Sequence, residues 1–435
     1  MTQAQTLLQR PVATAEPHLV EQPVRPRRLG SLDGLRGVAA LIVVFCHCIL
    51  VAPVLLSAYI DPTLIEKGGW AWWAAFSPLH LLWAGREAVL LFFVLSGFVL
   101  TLPFVRGWSA GWISYYPKRL LRLYLPVWGA CALFLMWVAL FPRNFTSADP
   151  AWLQLQMPNL TAEAIRGDLI LLPGAGGNNP VLWSLTMEVI FSLALPLYIA
   201  FVRFLPKLNW LKLALLLGLL AFSSHTPESL QFCVPVFGLG VLMAAEYDRI
   251  RAWGHRIRSD LHGNSSWWIL GVGSLLLLNS RWTIYLMTTD PKRLAIMLPL
   301  AACLSILGAC LAIFMALEGP WREVLERPAL SWLGTRSFSL YLVHAPIIVS
   351  AGVVLGQSVG AITLVALALP VSLVVAELFH RAVEKPGQHV SRAVERLIGR
   401  TGTARPGTAR PGTARLGTAR PGTLDGPSVM ELLTY

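Results

Sequence analysis

Long apolar stretches, nearly free of charge, recur along this chain and fix the solvent it folds in. They fall at roughly 35–54, 86–104, 124–142, 183–203, 209–224, 230–246, 266–281, 294–316, 336–356 and 360–379. A helix needs about 20 apolar residues to cross the hydrocarbon of a bilayer. In that solvent each backbone polar group must be satisfied internally, which leaves helices or closed barrels. Runs of this length read as helices. The expected fold is therefore an all-α integral membrane protein, a polytopic bundle of about ten transmembrane helices. The stretches at 209–224 and 266–281 are short for a full crossing.

Charge gives the orientation. Only 13% of residues are charged, against about 25% in soluble domains. The net charge is +12, and most Lys and Arg lie near the two ends and in alternate loops. The positive-inside rule places those loops and both termini in the cytoplasm, with an even number of spans. The same rule accounts for the basic balance without a nucleic-acid partner. The cysteines at 46, 48, 131, 233, 303 and 310 all lie in apolar stretches, so no disulfide framework is implied. Cys46-His47-Cys48 is not expected to bind metal, because adjacent helical residues point about 100° apart.

Three regions follow. Residues 1–30 read as a disordered polar arm without the apolar core of a signal peptide. Residues 31–390 form the membrane domain. Residues 391–435 form a low-complexity cytoplasmic tail, with Gly-Thr-Ala-Arg-Pro repeats between Gly402 and Pro421. The first outer loop carries Trp70, Trp72, Trp73, Phe76 and Trp83, as an interfacial aromatic belt does. The second outer loop, about 143–182, is long and rich in Pro, Asn and Gly. Loops of that length are often functional. Its glycines lack the strand and GK[ST] of a phosphate loop.

Chemistry is expected where polar groups interrupt apolar sequence. Arg36 opens the first span and His47 lies deep within it. Their spacing puts them on nearly one helical face, about 16 Å apart along the axis. A polar group facing lipid is costly, so His47 should face protein or a cavity. The plainer roles are a headgroup anchor for Arg36 and a hydrogen-bonded packing residue for His47. Arg119 and Arg122 share a face of an inner helix end. Paired guanidiniums suit the phosphates of a cytosolic anion, although topogenic charge is the simpler account. Glu188 lies inside the apolar fourth span, at a depth similar to that of His47. A His–Glu pair would orient the imidazole and raise its basicity. Ser96-Gly97 reads as a close helix-packing site. His344 precedes Pro346, where a local helix break would leave a carbonyl for it to bond. Glu384-Lys385-Pro386 reads as an inner helix terminus.

Six segments, taken in order over roughly residues 30–390, resemble the acyltransferase 3 family of bacterial integral-membrane O-acyltransferases. They are Arg36 with His47, Phe92 to Phe98, Arg119 with Arg122, Trp183 to Glu188, Leu333 to His344, and Glu384 to Pro386. Glu87 departs from the glycine of many members. The resemblance implies an inner-membrane enzyme moving an acyl group, most often acetyl from acetyl-CoA, onto a carbohydrate hydroxyl. Typical acceptors are O-antigen, exopolysaccharide or a lipid-linked sugar. Acyl-CoA is then a co-substrate, with no bound cofactor or metal. In this picture His47 and Glu188 are catalytic and Arg36, Arg119 and Arg122 bind acyl-CoA. Ser96, Trp183, Tyr341 and His344 take supporting positions. No hydrolase-like domain follows residue 390, so acceptor recognition is expected to rest on the outer loops. A secondary transporter of sugars or organic anions is the alternative, since intramembrane His and Glu permit it. It predicts internal repeats, and the motifs of the first four spans do not recur later in the chain.

Overall fold

The computed structural model describes residues 29–403 apart from 108–110, 144, 148, 172–174, 227–228 and 356–359. Residues 1–28 of the expected arm, and the repeats beyond Thr403, lie outside the described residues. Every regular element described is helical. In chain order these are α1 (Gly30–Ile49), α2 (Pro53–Ile60), α3 (Trp70–Phe76), α4 (Gly85–Val105), α5 (Trp112–Leu140) and α6 (Ala151–Gln154). Next come α7 (Ala162–Ile170), α8 (Leu182–Arg203), α9 (Asn209–Phe222), α10 (Leu230–Ala245), α11 (Tyr247–Ser259) and α12 (Gly263–Leu278). The last are α13 (Ser280–Met287), α14 (Pro291–Glu318), α15 (Trp321–Leu325), α16 (Pro328–Leu355), α17 (Ala361–Phe379) and α18 (Lys385–Thr403).

Seven of the described helices are long and apolar enough to cross a membrane: α1, α4, α5, α8, α14, α16 and α17 with its continuation. The pairs α10–α11 and α12–α13 are bent by 69° and 68°, and counting each as one span gives up to 9. The stretch at 209–224 folds as α9 and is not among these candidates. That helix has 14 residues, or about 21 Å, against about 30 Å of hydrocarbon. Outward-facing apolar side chains such as Trp268, Ile296 and Ile362 are exposed in the way lipid contact requires.

Glycines let the central helices touch backbone to backbone. A Cβ on Gly97 of α4 would sit 2.3 Å from the Phe237 carbonyl oxygen of α10, and one on Gly240 2.1 Å from that of Val94. The close packing expected at Ser96-Gly97 is therefore made by the glycine. Likewise a Cβ on Gly334 of α16 would meet the Asp33 carbonyl oxygen of α1 at 2.2 Å, and one on Gly37 would meet Gly334 N at 2.7 Å. Around these crossings Phe93, Phe191 and Phe237 interlock, with the Phe191 and Phe237 rings stacked 4.2 Å apart.

Three further expectations are corrected. Trp70 and Trp73 are exposed, but Phe76 and Trp83 turn inward. They pack near Trp282, and His80 lies buried against Trp83 and Trp282. Desolvation pushes the His80 imidazole down to about 3, so it is neutral at any ordinary pH. The helix does not break at Pro346, which lies inside α16. Nor does it end at Glu384-Lys385-Pro386. A π-helical turn, His380–Glu384, carries α17 into α18, past the boundary expected at 390. There Glu395 pairs with Lys118 of α5 at 2.8 Å.

Alanine separates packing glycines from incidental ones. In a helix interior Gly→Ala gains about 1 kcal/mol of helix propensity, while overpacking a tight contact costs about 1–3 kcal/mol. Gly273 has open space around its Cβ position. Gly97→Ala should lower the thermal midpoint of the purified protein in detergent, and Gly273→Ala should hold or raise it. Equal midpoints for the two variants would refute the backbone contact.

Candidate active site

Helices α1, α4, α5, α8 and α16, with the π-helical turn, surround a partly open cavity with about 780 Å³ of empty space, open solvent included. Arg36, Arg119 and Arg122 line it, together with Glu188 and Glu384. Val89, Phe92, Phe93, Leu123, Leu185 and Phe338 give it apolar walls, and Ser96, Ser184, Ser337, Thr335 and Tyr341 supply hydroxyls. The two arginine motifs, far apart in sequence, thus meet in one space. Three guanidiniums and two carboxylates line that space.

Arg119 and Glu188 hold each other. Arg119 is buried. Its Nη2 donates to Glu188 Oε1 at 2.5 Å and its Nε to Ser192 Oγ at 3.1 Å. Ser192 in turn donates to the Glu188 carbonyl one helical turn earlier, at 2.7 Å. Ser96 Oγ donates to Glu188 Oε1 at 3.2 Å. Ser96 therefore belongs to the cavity wall rather than to a helix seam. Glu188 does not orient His47 as expected, because its carboxylate is engaged by Arg119 and Ser96.

The partner of His47 is the other histidine. His47 Nδ1 lies 2.9 Å from His344 Nε2, and His344 Nδ1 lies 3.0 Å from the Leu340 carbonyl oxygen. His344 is fully buried, whereas His47 is half-buried under the Trp152 ring at 5.5 Å. Neither imidazole lines the cavity. Between them and the arginines stands Tyr341, a lining residue whose ring centroid is 5.9 Å from that of His344. Its hydroxyl lies 2.7 Å from Ser184 Oγ, which itself bonds the Val181 carbonyl at 2.9 Å. Trp183 stands behind the wall, edge-on to Phe93 at 6.1 Å, and does not line the cavity.

Sequence reasoning missed Glu384 as a site residue. It is buried in the cavity wall. It accepts from Ser339 Oγ at 2.5 Å and from Gln388 Nε2 at 3.1 Å, and its Oε2 lies 3.0 Å from His380 Nδ1. The signal was the spacing of His380, Glu384 and Gln388, four residues apart and so on one helical face. Pro386 lacks an N–H, and the widened π turn before it absorbs the change in bonding; such turns are frequent at functional sites.

The long outer loop is folded over the histidines. Asp168 accepts from Gly176 N at 2.8 Å and from Asn178 Nδ2 at 2.9 Å, and Asn178 Oδ1 accepts from Asn159 N at 2.9 Å. Asn179 Nδ2 donates to the Leu342 carbonyl at 2.9 Å. That carbonyl is the one Pro346 leaves without an intrahelical N–H. Among the described residues no group of three or more His, Cys, Asp or Glu is placed to hold a metal ion.

Comparison with known proteins follows from this geometry. Residues 29–381 match a family model described as an acyltransferase domain. The chain belongs to the acyltransferase 3 family. It is similar to acyltransferase MdmB of Streptomyces mycarofaciens, with 28% identity over 418 residues, 84% of this chain and 92% of that protein. No solved structure matches the chain. The protein is thus a multi-pass membrane acyltransferase.

Removing the Asn179 donor tests the loop clamp. A buried carbonyl left unpaired costs about 1–3 kcal/mol. Asn179→Ala and Asn179→Asp should both lower the thermal midpoint and speed hydrogen exchange in 143–182, since aspartate also cannot donate. Unchanged exchange in both variants would show that the clamp is idle.

Proposed function

We propose that the protein transfers an acyl group, acetyl in the simplest case, from acyl-CoA to a hydroxyl of a surface carbohydrate or lipid-linked sugar. The observation that carries this reading is the convergence of Arg36, Arg119 and Arg122 on one cavity that ends a single ring short of the paired histidines. Guanidiniums match phosphate oxygens in charge and fork geometry. The apolar walls suit a pantetheine arm. The basic end of the cavity faces the cytoplasm in this reading. Acceptor reaches His47 from the outer side, under the loop that carries Trp152, in the cytoplasmic membrane of a bacterium.

A sugar hydroxyl is a poor nucleophile at neutral pH. His47 takes its proton as the oxygen attacks the thioester carbonyl. The C–S bond then breaks, the thiolate leaves, and the imidazolium returns the proton to sulfur. The products are an ester and free CoA. Glu188 and Ser192 hold Arg119 in position for phosphate. Tyr341, fixed by Ser184, forms the wall past which the thioester end must extend. Ser96 and Trp183 support Glu188 and the cavity wall, respectively.

Two measurements on purified protein test this reading, using radiolabelled acetyl-CoA and an extracted surface glycan. Arg122→Ala should raise the donor KM about 10- to 150-fold, the equivalent of a charge-assisted contact of about 1.5–3 kcal/mol. His47→Gln should lower kcat by about 10²–10⁴ with donor KM nearly unchanged, since glutamine bonds but does not take the proton. Full turnover by His47→Gln would reject the base. An unchanged donor KM in Arg122→Ala would assign that arginine to topology alone.

A further inference from the structure

The paired imidazoles have a determinate proton arrangement. A carbonyl only accepts, so His344 Nδ1, 3.0 Å from the Leu340 oxygen, carries a hydrogen. Burying an imidazolium without a carboxylate partner is costly, and the polar partners of these rings are each other and a backbone carbonyl. Both rings are therefore neutral at rest, and His344 Nε2 is an acceptor. His47 Nδ1 faces it at 2.9 Å and must donate. The rings are inclined by only 20°, with centroids 5.0 Å apart, as an in-plane N–H···N bond between imidazoles requires. The remaining nitrogen of His47, Nε2, is left with a bare lone pair.

We propose that His344 is a positioning residue that locks His47 in the Nδ1–H tautomer and so makes Nε2 the atom that takes the acceptor's proton. This rests on the general-base role of His47 and replaces the carboxylate that usually sets a catalytic histidine. The hydrogen on Nδ1 stays in place throughout. During attack the Nε2–H bond forms as the acceptor O–H bond breaks. The resulting imidazolium is stabilised by donating from Nδ1 to His344, whose own ring is polarised by the Leu340 carbonyl.

Two substitutions of His344 divide positioning from packing. Glutamine can accept from His47 Nδ1 and donate to Leu340, whereas phenylalanine fills the buried space and does neither. His344→Gln should keep kcat within about tenfold, and His344→Phe should lose about 10²-fold or more, each with donor KM within about twofold of the parent. The unchanged KM, read at the arginines, reports an intact bundle. Nitrogen-15 NMR of histidine-labelled protein, with the His47 signals assigned by their loss in His47→Gln, should show Nδ1 protonated and Nε2 bare. In His344→Phe the His47 hydrogen should shift to Nε2. A kcat for His344→Phe equal to or above that of His344→Gln would overturn the proposal, as would a resting Nε2–H on His47. If His47→Gln is inactive in the same assay, those results reject the lock alone. If His47→Gln turns over normally, the base reading fails and the lock with it.

Discussion

The contact between α1 and α16 places the two paired histidines of this membrane domain. Gly37 and Gly334 meet with no room for a Cβ on either. The two helices run in the same direction from that point, and each carries a histidine ten residues on, at His47 and His344. At 1.5 Å per residue both imidazoles rise about 15 Å from the crossing, so they arrive at one level and meet at 2.9 Å. Arg36 leaves α1 next to the crossing, on the side where α16 presents Thr335, Ser337 and Tyr341 to the cavity. A side chain at either glycine would force the helices apart and lose the histidine bond and the cavity wall together.

Within the cavity Arg119 is organised before any guest arrives. Arg119 is fixed at two nitrogens by Glu188 and Ser192, and Glu188 is steadied by Ser96. Breaking a buried ion pair by removing one partner leaves an uncompensated charge and costs about 3–5 kcal/mol. In the proposed reading, loss of activity on replacing Glu188 measures the integrity of Arg119. Its carboxylate partly neutralises a cluster of guanidiniums that would otherwise repel itself.

Much of this was legible in the sequence. Apolar run length gave helices, and the cost of polar groups in hydrocarbon pointed to Arg36, His47, Glu188 and His344. What the sequence did not reveal was partnership. His47 and Glu188 share a depth, and depth is all that residue spacing supplies; which groups touch depends on helix rotation, set here by glycines at Gly34, Gly37 and Gly334 whose partners lie some 300 residues away. Glu384 was passed over for a different reason. A proline two residues later normally marks a helix end, and a π turn removes that signal by changing the hydrogen-bond step. The stretch at 209–224 was read as a span from its composition, which reports hydrophobicity but not the 14 residues over which it stays helical.

Pro346 joins the loop at 143–182 to the level of the histidines. A proline inside a helix leaves the carbonyl four residues earlier without a donor, here that of Leu342, two residues before His344 on α16. In hydrocarbon such a group must find another partner, and Asn179 provides it from the loop. The same loop lays Trp152 on His47 and places Leu153 where a Cβ on Gly352 would collide. The loop cannot lift from α16 without stranding the Leu342 carbonyl, so its opening is opposed by a defect built into the helix it covers. A continuous helix would have had no unsatisfied group to hold a loop there. The proline that seemed to interrupt α16 is thus what fastens the cover over its histidine.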